Sequence, residues 1–148
     1  MTVYLTGCVL SVRLSGIGGL MRKWTNCPKD LTKYEGFVYE ITNDLSGKKY
    51  IGKKVFWNNK RIKPRKGMKN GKKTRVESDW RTYWGSSREL LLDYQSQGGK
   101  GFRRRILLLC ESRWEMSYHE ARLQFSREVL LRPDYYNQYI GFRLRRRK

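Results

Sequence analysis

The chain has 148 residues, enough for one domain with a modest core. Its 33 Lys and Arg against 13 Asp and Glu give a formal charge of +20, a self-repelling surplus that implies a polyanionic partner. The charge is not confined to one amphipathic helix, which argues against a membrane surface as that partner. Cys8, Cys27 and Cys110, with the lone His119, offer no CxxC spacing. That disfavours a zinc site or a disulfide framework and points to a reducing cytoplasm.

Residues 1–33 read as a loosely ordered N-terminal extension. The stretch 1–20 is apolar-leaning, is interrupted by Arg13, and lacks the charged start of a signal peptide and the length of a span. Met21 could serve as the start of a complete domain. From Tyr34 the punctuation becomes regular, and 34–140 is expected to form the working domain. Phe37 to Thr42 and Lys49 to Gly52 are β-prone runs around the turn Asn43-Asp44-Leu45-Ser46-Gly47, so they predict a hairpin. Tyr39 and Tyr50 stand at matching points of its strands. The basic stretch 53–75 holds Pro64, Gly67 and Gly71 and few apolar residues. It reads as a mobile insertion, at about 55–75, with electrostatic work to do.

Ser78 or Asp79 can cap a short helix through Trp80, Tyr83 and Trp84, ended by Gly85. Ser86 or Ser87 can cap a second, Arg88 to Gln97, with Leu90, Leu91 and Tyr94 inward. Gly98-Gly99-Lys100-Gly101 lacks the ending of a phosphate-binding loop and reads as a connector. Phe102 to Cys110 predicts a third strand, and the unbroken run Ile106-Leu107-Leu108-Leu109 suggests a central one covered on both faces. A last helix is expected from Tyr118 to Leu131, capped by Ser117 and stopped by Pro133. A basic tail occupies 141–148.

On that helix Tyr118, Ala121, Phe125 and Val129 make one apolar stripe, and Leu123 with Leu130 a second. Glu120 falls between them, in a row with Gln124 and Arg127. In a chain with so few acids, this carboxylate could anchor a hard divalent cation such as Mg²⁺ (or Mn²⁺). Glu115 and Glu128 are weaker candidates, and His119 reads as surface or packing. The tyrosines could be half-buried strand residues, or a phenol could act as a base where cations favour its deprotonation.

Phe37-Val38-Tyr39 followed by Tyr50-Ile51-Gly52 resembles the paired signature of the GIY-YIG nuclease superfamily, with a degenerate first motif. The resemblance continues through Tyr83-Trp84-Gly85-Ser86-Ser87, the strand Phe102 to Cys110, Glu120 and Tyr136-Asn137. Within that superfamily the chain is similar to small phage Seg-like homing endonucleases. The resemblance implies an α+β fold, a small three-stranded antiparallel sheet flanked by helices, with one divalent metal per site. It implies catalytic roles for Tyr39, Tyr50 and Glu120, with Glu120 on the metal, Gly52 in support by letting the backbone approach the substrate closely, and Asn137 in support of the site. The family also carries an arginine on its first helix. Arg61 is the candidate here, with Lys54, Arg75 and Arg81 as alternatives.

The expected function is therefore metal-dependent hydrolysis of DNA phosphodiester bonds. Lys53, Lys54, Arg65, Lys66, Arg75, Arg81, Arg103 and Arg104 would grip the backbone, in the host cytoplasm if phage-encoded. A catalytically weak or inactive nucleic-acid-binding protein on the same fold is the alternative reading. Sequence leaves the oligomeric state open.

Overall fold

A computed structural model describes residues 23–64, 66–67, 71–141 and 143–146. The expected extension up to Arg22, the possible start at Met21, Arg65 and the end of the tail lie outside the described residues. Three strands, β1 (Gly36–Asn43), β2 (Lys49–Val55) and β5 (Phe102–Cys110), form an antiparallel sheet in the order β2-β1-β5. Two more, β3 (Trp57–Arg61) and β4 (Lys73–Glu77), pair with each other alone. The helices are α1 (Arg88–Ser96) and α2 (Arg113–Ser126), with a 3-10 turn at Trp80–Thr82. This is the α+β fold with a three-stranded antiparallel sheet that the sequence predicts.

The central strand is β1, not β5. Alternation along β1 sends Phe37, Tyr39 and Ile41 into one core with Trp24, Phe56, Trp80, Leu90 and Phe102. Val38 enters a second core on the opposite face, with Ile51, Cys110, Met116 and Val129. The apolar run in β5 is covered on both faces, as expected, although the strand stands at the edge of the sheet. Phe37 and Val38 pair with Leu109 and Leu108, but Tyr39 pairs with Ile106, so Leu107 is bulged out. The bulge swaps the faces of β5, placing Ile106 and Leu109 in the first core and Leu108 and Cys110 in the second. On its outer side β5 meets only a short parallel bridge at Thr25 among the described residues.

α1 begins as expected, with Ser87 Oγ accepting from Leu90 N. α2 starts five residues earlier than the sequence suggests, capped by Ser112 accepting from Glu115 N. It also ends earlier, with Arg127 as its cap and Glu128 in the left-handed region at φ 52°, so Pro133 does not stop it. Its buried residues are Met116, Ala121 and Gln124. The expected stripe is wrong in part: Tyr118 and Phe125 are exposed, as is Leu130 beyond the helix. Segment 53–75 is not featureless either, since it continues β2 and contains most of the β3–β4 ribbon.

Candidate active site

The outer edge of β2 is where the elements converge. Ile51 is fully buried, and its N–H and C=O point away from β1. Asn137 meets both: its Oδ1 accepts from Ile51 N at 3.0 Å and its Nδ2 donates to Ile51 O at 2.8 Å. Gln124 Nε2 donates to the same carbonyl at 3.0 Å. Nearby, Lys49 N donates to Asp134 O and Tyr136 N to Lys49 O. An amide side chain thus imitates a neighbouring strand where the backbone ladder ends, which suits the supporting role expected for Asn137.

A cleft of about 390 Å³ straddles this edge. Tyr50 enters it from one side of the sheet with Ser86, Ser87 and Arg88 at the start of α1. Lys53, Glu120 and Gln124 enter from the other, and Tyr136 to Tyr139 close one end. Glu120 has a side chain only 14% exposed, and its Oε2 lies 2.7 Å from Lys53 Nζ. Lys53 Nζ also donates to Ser117 Oγ at 3.2 Å.

The two motif tyrosines separate in role. Tyr50 OH lies 2.9 Å from Ser86 Oγ, at the cleft wall. Tyr39 is 1% exposed and does not line the cleft. It donates to Tyr83, which is bonded in turn to Ser86, so a polar chain links Tyr39 to Tyr50. Burial pushes the Tyr39 phenol well above its usual value, and the neighbouring Tyr50 and Tyr83 add to this. Burial also raises Tyr50 and Tyr83, against a lowering by the Ser86 hydroxyl. All three are neutral phenols at neutral pH, so the surroundings oppose the phenolate a base would need.

Gly52 has a use beyond the one expected. A Cβ there would stand 2.6 Å from Tyr39 OH and 2.8 Å from Tyr50 Cε1. The glycine makes room for the tyrosine pair.

Arg61 ends β3, exposed and away from the cleft. Lys54 sits over the Tyr83 ring and pairs with Asp79 at 2.6 Å. Arg75 pairs with Glu35, and Arg81 with Glu77. The arginine that does reach the cleft is Arg88. Its signal was present in the sequence, because a cap at Ser87 makes Arg88 the first residue of α1.

Among the residues expected to grip DNA, Arg103 is exposed beside Asp44, and Lys66 is exposed. Arg104 is a correction. It is 3% exposed, stacked between the rings of Trp24 and Trp84, with its Nη1 donating to Arg81 O and Tyr83 O. Burial lowers its pKa to about 10. It holds the core and cannot reach a phosphate.

The cleft offers one carboxylate together with phenol and amide oxygens, and neither thiolate nor imidazole. Hard oxygen donors of this kind fit Mg²⁺ or Mn²⁺, which keep most of their waters, better than zinc. No cluster of three or more His, Cys, Asp or Glu forms among the described residues, and such an ion does not demand one. His119 packs against Tyr118 and does not line the cleft.

Residues 21–140 match the protein family described as "Putative endonuclease segE, GIY-YIG domain". The chain belongs to this family. Neither the curated proteins nor the solved structures gave a match. Membership of the SegE-type GIY-YIG family indicates endonuclease activity in general. No helix among the described residues is long and apolar enough to cross a membrane.

Proposed function

We propose that the chain is a divalent-metal-dependent endonuclease that hydrolyses DNA phosphodiester bonds, of the phage homing-endonuclease kind. One observation carries this reading: a carboxylate, two cations and a phenol from three elements, β2, α1 and α2, meet in a single cleft at Glu120, Lys53, Arg88 and Tyr50. Glu120 would hold Mg²⁺ or Mn²⁺, which when bound supplies Lewis-acid neutralisation of the charge building on the phosphate. Arg88 pairs with the non-bridging phosphate oxygens, for which its planar fork is suited. Tyr50, aligned by Ser86, hydrogen-bonds the attacking water as a neutral phenol and sets its line of approach. Water adds to phosphorus and releases a proton to solvent, the ester P–O bond breaks, and the departing oxygen, hydrogen-bonded by Lys53, takes up a proton to leave as the alcohol. Tyr39 acts at one remove, holding Tyr83 and Ser86 in place beside Tyr50.

The test is nicking of supercoiled plasmid in Mg²⁺. Wild-type protein should cut, and Glu120→Ala should lose at least about 100-fold in rate while still binding DNA. Equal cleavage by the variant would end the role of Glu120. Binding without cleavage in any divalent metal would favour the non-catalytic nucleic-acid-binding reading.

A further inference from the structure

The β3–β4 ribbon leaves the body of the protein at the end of β2. Phe56 is buried at its root, Ser78 N donates to Phe56 O, and Ser78 Oγ donates to Val55 O at 2.6 Å. Beyond that root the ribbon is largely exposed. Residues 57–77 contain nine Lys or Arg and one acid, Glu77.

Its two faces differ. Register puts Trp57, Glu77, Asn59, Arg75, Arg61 and Lys73 on one face. Three of these fasten the ribbon down. Trp57 Nε1 donates to Tyr34 O, Arg75 pairs with Glu35, and Glu77 accepts from Arg81 and Trp80. Asn58, Lys60, Thr74 and Val76 share the other face. None of these four side chains has a hydrogen-bond or ion-pair partner among the described residues, and Val76 is an exposed β-branched group at 37%. A side-chain set free of structural duties, on a cationic two-stranded ribbon, matches what the DNA major groove accepts.

We infer that this free face reads bases in the major groove of duplex DNA beside the cut. The inference rests on DNA being the substrate and adds to it a source of sequence preference within the domain. Asn58 presents a bidentate amide suited to adenine, Lys60 a donor for guanine, and Thr74 and Val76 methyl groups for thymine. Lys73 and Arg61, on the opposite face, meet phosphates and carry no base information. Backbone from Lys53 to Lys60, with a bend at Phe56, spans at most about 23 Å, or about seven base pairs, so the bases read lie within that distance of the cut phosphate. The deep, narrow major groove of duplex RNA would not admit the ribbon.

The test uses the full chain carrying Glu120→Ala, which removes cleavage from the measurement, and selects bound duplexes from a randomised DNA pool. The expected result is a short consensus. Adding Asn58→Ala should cost roughly 5- to 100-fold of base preference at one or two positions and leave the others intact. Adding Lys73→Ala instead should weaken binding to all sequences alike and shallow the salt dependence by about one phosphate. No consensus, a consensus untouched by Asn58→Ala, or tighter binding to duplex RNA would overturn the inference. A consensus that depends on Asn58, from a wild-type chain that cuts nothing, would uphold the ribbon and refute the nuclease.

Discussion

Asn137 and Gln124 share one backbone target, and this makes their substitutions unequal. Asn137→Leu keeps the approximate volume but removes the partner of both Ile51 N and one lone pair of Ile51 O. The carbonyl still accepts from Gln124 Nε2, whereas no other partner reaches the buried N–H among the described residues. An orphaned buried donor costs about 1–3 kcal/mol, so the loss should be about 2 kcal/mol. Gln124→Met leaves the carbonyl bonded to Asn137 and should cost about 1 kcal/mol or less. For a domain of this length, 2 kcal/mol is roughly 6 °C in Tm. Urea melts and thermal melts of the two variants measure the difference directly. A Gln124→Met variant less stable than Asn137→Leu would refute the account of how β2 is held. Plasmid nicking should fall in the same order, because Tyr50 and Lys53 ride on that strand.

Lys53→Met removes the cation paired with Glu120, so Mn²⁺ binding followed by calorimetry should tighten several-fold while cleavage falls; weaker binding would show that the lysine does not compete for the carboxylate. Arg104→Ala should cost about 2–3 kcal/mol, since it deletes charge-assisted hydrogen bonds and a stacked plane, yet leave DNA affinity of the folded protein unchanged in a filter-binding assay. A drop in affinity without a drop in stability would return Arg104 to the binding surface. Tyr39, Tyr50 and Tyr83 have folded pKa values raised above the unfolded one. Their protonated forms therefore contribute stability that is complete below pH about 10 and is lost as pH rises through the folded values. Tyrosinate absorbance should appear in two phases, the later one coinciding with alkaline unfolding; a single phase near pH 10 in folded protein would contradict the burial argument.

The hairpin and β5 were legible because strand chemistry and turn residues agree there, and β5 keeps its expected bounds. That Glu120 and Gln124 line one cleft was legible because their sharing of a helical row survives any choice of helix ends. The ends themselves were not readable. Ser112 and Ser117 each stand three residues before a glutamate, so the sequence holds two capping signals, and packing of Met116 in the second core goes with the first. The centrality of β1 was hidden because β5, an edge strand, packs into both cores and so carries the apolar run of a central one. Arg104 looked like a phosphate ligand because three arginines in a row give no hint that two tryptophans far apart in sequence flank the middle one.

The cleft closes with a segment reaching back 86 residues to Ile51. The ribbon, by contrast, is complete once Glu77 has been made. Some 60 residues separate Glu77 from Asn137, about 3–12 s of translation at common speeds. On the inferred role of the ribbon, the strands that would hold nucleic acid are therefore synthesised before the segment that completes the cleft. A chain truncated short of Asp134 keeps those strands but loses Tyr135 and Tyr136 from the two cores and Asn137 from Ile51, so on the same reading any binding it retains would be binding without cutting.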